Sequence, residues 1–225
     1  MYANSRIPQS AQSGIHERLG ELVDRHLREP FRKPVLDYNR AAFAEAVAAW
    51  NGAPLILDAA CGTGASSVQL ALQNPECFVI GVDQSSDRLA TEKGALPPNL
   101  HLARADLVDF WRLLADRGVR LERHCLFYPN PWPKIGHLSR RWHGHAVFPV
   151  LVQLGGLIEC RSNWRIYVEE FAFALGRLLG REVDCESMAP ETLLAPVSPF
   201  ERKYRDSGQS LYRCVADLRS GVCAP

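Results

Sequence analysis

LILDAACGTGASSVQLALQNPECFVIGVD, residues 55–83, decides how this chain folds. Residues 55–60 are a continuous apolar run of strand length, a glycine turn follows at 61–64, Ala65–Gln73 suits a helix, and residues 77–83 form a second apolar run ending on an acid. Strand, turn, helix and strand in so short a span make a βαβ unit, whose two strands must be parallel. The pattern continues downstream. A helix is expected over 85–94, a strand and turn over 100–106, a helix over 107–117, a strand over 124–128, a strand over 155–163 and a helix over 164–179. Residues 181–187 and 210–218 read as two further strands at one edge. Strands separated by helix-sized connections imply an α/β, doubly wound, mostly parallel sheet, here of seven strands.

Upstream of this unit, Ile15–Leu27 places Ile15, Leu19, Leu22, Val23 and Leu27 on one face, and Asn39–Trp50 carries Ala and Phe at helical spacing before an Asn51-Gly52 stop. The expected organisation is a mobile tail over 1–14, an N-terminal helical extension over 15–50, and one domain over 51–225. At 225 residues and 47% hydrophobic content the chain can bury a full core, and a net charge of +1 excludes a wholly basic nucleic-acid packager. Any polyanion site must then be a local patch. Seven cysteines without a CxxC pair read as reduced thiols of a cytoplasmic protein, and no segment has the apolar length of a signal sequence or a membrane span. The oligomeric state, monomer or homodimer, is left open.

The turn DAACGTG (58–64) lies between a strand and a helix, so Gly62 and Gly64 let backbone approach a ligand at a helix N-terminus. Two ligands compete for such a turn. A dinucleotide wants a third glycine where this chain has Ser67, and its pyrophosphate is repelled by a carboxylate such as Asp58. S-adenosylmethionine carries an ammonium that this carboxylate suits, and it is favoured. Asp83, at the tip of the second strand, is placed for ribose hydroxyls, and Asp106, after the third, for an adenine amino group. Each acid could instead be a helix cap or turn residue.

The stretch LFYPNPWPKIGHLSRRWHGHAVF (126–148) reads as the end of the fourth strand, a rigid loop and a basic helix. Pro129, Pro131 and Pro133 stop strand pairing, leaving Asn130 at the strand tip, where open α/β sheets bind their ligands. From Pro131 to Ile158 there is no acidic residue. Lys134, Arg140 and Arg141 therefore read as phosphate contacts, with Trp132 and Trp142 as candidate base-stacking surfaces. His137, His143 and His145 have no acid or cysteine beside them in sequence, so no metal site is expected.

With these blocks in hand, Pro54 to Leu218 resembles the tRNA (guanine-N7)-methyltransferase family. The resemblance rests on LDAACGTGAS, the acid of GVD, FYPNPWPKIGHLSRR and SPFERKYRDSGQSLYR. It implies a Rossmann-like S-adenosylmethionine-dependent methyltransferase fold and a tRNA partner. It implies cofactor contacts at Asp58, Gly62, Gly64, Asp83, Asp106 and Asn130, with Asn130 beside the reacting centre. Substrate contacts are implied at Lys134, Asn163, Ser198 and Glu201. The chain departs from the family at Asn130 and Asn163, where Asp is usual, and at Ala60-Cys61 in place of Gly-Phe. These amides keep open a methyltransferase acting on another RNA or a small molecule, or a silent RNA-binding relative.

Overall fold

β1 (Leu55–Ala59) and β2 (Phe78–Asp83) pair in parallel, with Asp58 beside Gly81, in the computed structural model, which describes residues 7–189 and 195–219. β3 (Leu100–Arg104) lies outside β2, while β4 (Arg123–Phe127) pairs with the other edge of β1. β5 (Leu157–Ser162) follows β4 in parallel, and β7 (Tyr212–Asp217) and β6 (Cys185–Ser187) complete the order β3-β2-β1-β4-β5-β7-β6. β7 is antiparallel to both of its neighbours. The chain thus runs outward from β1 through β2 and β3, then restarts on the opposite side of β1 at β4. That reversal opens a crevice at the carboxyl ends of β1 and β4.

β1 is buried at every position, because helices cover both of its faces. Leu55, Leu57 and Ala59 join the larger core under α1 (Leu19–Arg28), α2 (Asp37–Ala49), α5 (Leu107–Asp116), α6 (Phe148–Gln153) and α7 (Arg165–Leu179). Ile56, on the other face, joins a smaller cluster with Leu70 and Ala71 of α3 (Ala65–Gln73). The two N-terminal helices share the larger core through Leu19, Val23, Phe43 and Ala46.

Several elements differ from the sequence reading. The helix expected over 85–94 is one turn, α4 (Ser86–Leu89), and the first helix begins at Leu19 instead of Ile15. The basic helix is not an α-helix but two 3-10 segments, Ile135–Arg140 and Trp142–Gly144. The tight second segment brings Gly144 so close to the Leu138 carbonyl that a side chain at 144 would collide with it. Within the stretch expected as a mobile tail over 1–14, Ser10 Oγ donates to the Pro133 carbonyl at 2.6 Å, and Gln12 is hydrogen-bonded to Glu170 and Arg141. Residues 1–6 lie outside the described residues. Among the described residues no helix is long and apolar enough to cross a membrane.

Candidate active site

The turn after β1 is built by left-handed backbone and two carboxylates. Gly62 and Gly64 take φ of 60° and 78°, and Gly64 is the N-cap of α3. A side chain at Gly64 would strike Leu102, whereas the space beside Gly62 holds no protein atom within 4 Å. Gly62 is therefore where the backbone can meet a ligand. Ala60 holds φ of 58° without a glycine's freedom, a strain of about 1–3 kcal/mol.

Asp58 is almost fully buried, and its Oδ2 accepts hydrogen bonds from Ser66 Oγ (2.6 Å) and Ser67 Oγ (2.7 Å). Its Oδ1 is buried with no partner in the protein. Burial raises the carboxyl to about 6 despite the two serine hydrogen bonds. Ser67 thus has a task the sequence reading missed, and no glycine could perform it. Asp83 braces the turn, with Oδ2 accepting from Gly62 N (2.9 Å) and Oδ1 from Ser85 N (2.9 Å). Each oxygen keeps a lone pair that a ribose hydroxyl could use.

Asp106 is the N-cap of α5, accepting from Val108 N at 2.9 Å, while its own N–H donates to the buried Asn39. The capping role accounts for one of its oxygens. Cys61 is buried, and burial together with the charge of Asp58 raises its thiol well above the usual range, so it is no nucleophile. An orphaned buried carboxylate oxygen and an open glycine beside it fit a cationic, hydroxyl-bearing cofactor such as S-adenosylmethionine.

Across the crevice, the loop after β4 is strained twice more, with Tyr128 at φ of 52° and Trp132 at 45°. Asn130 is exposed between them, and its Oδ1 accepts from Trp132 N at 3.3 Å. Lys134 and Arg140 are exposed, and the Arg140 guanidinium lies 4.9 Å from the Trp132 ring centre. These three groups form the cationic and aromatic rim of the crevice.

Arg141 does not belong to that rim. Expected to face phosphate, it is fully buried: its Nη1 donates to Glu170 Oε2 at 2.5 Å, its Nε to the Trp132 carbonyl, and its Cζ lies over the Trp164 ring, 4.9 Å from the centre. Glu170 also accepts from His143 Nε2 (2.8 Å), Gln12 Nε2 (2.5 Å) and His16 N (3.0 Å). Burial opposes its charge, but the His143 hydrogen bond and the Arg141 guanidinium outweigh it and hold the carboxyl at about 2. Burial lowers the His143 imidazole below its usual range, against the opposing pull of Glu170. An acid does stand beside His143, then, supplied by α7. Trp142 and Trp132 are both half-buried, but Trp142 is edge-on to the buried Trp111 and packs on the core, which leaves Trp132 as the stacking candidate of the pair.

The second set of expected substrate contacts is likewise engaged with protein. Glu201, in α8 (Pro199–Asp206), is fully buried and accepts from Tyr128 Oη (2.7 Å), Arg161 Nη1 (3.0 Å) and Val197 N (2.7 Å). The residue expected to meet a guanine thus joins α8 to the β4 loop, through Tyr128. Ser198 is the N-cap of α8, accepting from Glu201 N. The Ser-x-x-Glu spacing of a helix start was the available signal for both residues. Asn163 is nearly buried and donates to Gln209 Oε1 at 2.8 Å. Among the described residues no cluster of His, Cys, Asp or Glu could hold a metal ion.

Residues 52–214 match the profile of the Methyltransf_4 family, described as "Putative methyltransferase". A tRNA (guanine-N(7)-)-methyltransferase of Shigella dysenteriae serotype 1 is 30% identical over 173 residues, covering 71% of this chain and 70% of that protein. This chain belongs to the tRNA (guanine-N7)-methyltransferase family. A family member from Mycobacterium avium is 29% identical over 174 residues, covering 72% of this chain; the match spans 66% of that relative's length, short of two thirds. Among solved structures, the 16S rRNA methyltransferase KamB superposes with a TM-score of 0.54 at 19% identity, covering 84% of this chain and 97% of KamB. An antibiotic-related methyltransferase gives 0.55 at 14% identity, covering 83% and 96%. At such identities these structures speak for the fold, which is the Rossmann-like fold of S-adenosylmethionine-dependent methyltransferases.

Proposed function

We propose that this protein is a cytoplasmic enzyme that transfers a methyl group from S-adenosylmethionine to N7 of a guanine in tRNA. The observation that carries the reading is the juxtaposition at one crevice of the buried, unpartnered Asp58 Oδ1 and the Asn130–Lys134 loop with its exposed cations. When bound, S-adenosylmethionine supplies an electrophilic methyl group on a sulfonium. Guanine N7 carries a lone pair and no proton, so the protein need not supply a base and its work is orientation and electrostatics. Asp58 meets the cofactor's ammonium through Oδ1, Asp83 and Asp106 meet its ribose and adenine, and Gly62 and Gly64 give the backbone access. Asn130 has its carbonyl oxygen tied to Trp132 N, which leaves its amide N–H groups to donate to guanine O6 while N7 stays free. Lys134 and Arg140 meet flanking phosphates, and Trp132 offers a face to the base.

A second reading, a methyltransferase of the same fold with another RNA or small-molecule acceptor, is favoured by Asn163, whose amide is committed to Gln209. Labelled-methyl transfer to total tRNA followed by nucleoside analysis separates the two. The label should appear in 7-methylguanosine. Label in another nucleoside, or none from folded protein that binds the cofactor, would overturn the guanine-N7 reading.

A further inference from the structure

We propose that the groove between α1 and the first 3-10 segment binds the sugar-phosphate backbone of the RNA, on either side of the nucleotide that enters the crevice. The proposal rests on the tRNA reading above and adds a second contact surface to it. α1 turns Leu19, Val23 and His26 inward, and His26 Nε2 meets the Gly144 carbonyl at 3.3 Å. Arg18, Glu21, Leu22, Asp24, Arg25 and Arg28, at the start of this helix and along its outward side, line a groove of about 580 Å³. Ile135, Gly136, Leu138 and Ser139 form its other wall.

The charge of this groove is set by which groups are already paired. Arg18, Arg25 and Arg28 are exposed, and none of them forms an ion pair with another described residue. Of the two acids on the same helix face, Asp24 is gripped by Arg177 from outside the groove, and the Arg177 hydrogen bond lowers its carboxyl. Glu21 is left against three arginines. Arg18 to Arg28 spans about 15 Å along the helix axis, the length of several phosphates of one strand.

The groove is also close enough to serve the same substrate. Its far wall begins at Ile135, directly after Lys134, and ends beside Arg140. Ile135 lies five residue steps on from Asn130, a reach of at most about 18 Å. A nucleotide held at Asn130 therefore places its near neighbours in the strand within range of α1. A row of unpaired guanidinium groups over this distance suits a polyanion with regularly spaced charges better than a single small anion. Half-exposed Ile135 and Leu22 give the sugars an apolar floor.

The test compares tRNA binding across a salt series for the full-length protein, the triple variant Arg18→Gln/Arg25→Gln/Arg28→Gln, and the charge-preserving triple Lys variant. The Gln variant should lose about tenfold or more in affinity near physiological salt, and the slope of log K against log salt should flatten by up to about 2.7. The Lys variant should keep most of both. Cofactor affinity and turnover at saturating tRNA should be unchanged in either. If the Gln variant binds tRNA with the wild-type slope while Lys134→Gln/Arg140→Gln does not, the groove is excluded and the tRNA reading stands. If wild-type protein itself shows no salt-dependent tRNA binding, the tRNA reading falls and the groove with it.

Discussion

Ala60 occupies left-handed backbone at the mouth of the cofactor turn, where the family resemblance implies glycine. An L-residue there costs about 1–2 kcal/mol, of which glycine would return part as unfolded-state entropy, so Ala60→Gly should stabilise the protein by roughly 0.5–1 kcal/mol. For a chain of this size that is a rise in melting temperature of about 1–4 °C. Calorimetry on both proteins checks it, and a fall in melting temperature would mean that the Ala60 methyl packs well enough to offset its strain. Asp58 offers a second test at the same scale. Its carboxyl is raised to about 6 by burial, so it is increasingly protonated as pH falls through 6 and can no longer meet an ammonium as an anion. Affinity for S-adenosylmethionine should therefore decline from pH 7.5 to pH 5, by as much as about tenfold per pH unit below 6. In Asp58→Asn the affinity should be low and independent of pH over that range.

The strand-tip loop is held by an element remote from it in sequence. Glu170 on α7 fixes Arg141, and Arg141 fixes the carbonyl of Trp132 in a left-handed conformation beside Asn130. Removing one partner of a fully buried ion pair strands the other, so Glu170→Ala should cost about 3–5 kcal/mol. The double variant Glu170→Gln/Arg141→Met removes both charges and should recover most of that stability. It should not recover methyl transfer, because nothing then grips the Trp132 carbonyl; cofactor binding at the β1 turn should persist. Full transfer by the double variant would show that the loop keeps its shape unaided. Sequence reading found this loop, its prolines and the glycine turn, because their chemistry is local. It misplaced Arg141 and His143 because their acid lies more than 25 residues downstream on another helix, and an acid-free stretch of sequence looks solvent-facing until the fold brings Glu170 to it. The 3-10 geometry was equally hidden, being set by the contact of Gly144 with Leu138 and not by any helical periodicity.

At the scale of the whole molecule, the strand count and the doubly wound class were legible, since apolar runs and helix-length connections carry them, whereas the place of the reversal, between β3 and β4, came from the pairing. The buried titratable groups were not, because burial is a property of packing. Two of these groups act on stability in opposite directions. His124 in β4 is fully buried, accepts from Trp111 Nε1 at 2.9 Å, and is lowered by burial to about 3. Its folded value lies below its unfolded value of 6.5, so the unfolded chain binds the extra proton and stability is lost as pH falls from about 6.5 toward 3. Asp58 runs the other way. Its folded value of about 6 lies above its unfolded value of 3.8, so its contribution is present below 3.8 and is lost as pH rises through 6. Between about pH 4 and pH 6 each contributes a slope of up to about 1.4 kcal/mol per pH unit, and the two cancel. The buried His143, also lowered by burial, adds to the histidine slope, so the test is the difference between variants in denaturant titrations of the cofactor-free protein. Relative to wild type, Asp58→Asn should make stability rise more steeply with pH between 4 and 6, and His124→Gln, which can still accept from Trp111, should make it rise less steeply. Saturating S-adenosylmethionine should act as Asp58→Asn does, since a cation at Oδ1 holds Asp58 ionised; a bound protein whose pH dependence between 4 and 6 parallels that of the cofactor-free protein would place the ammonium elsewhere.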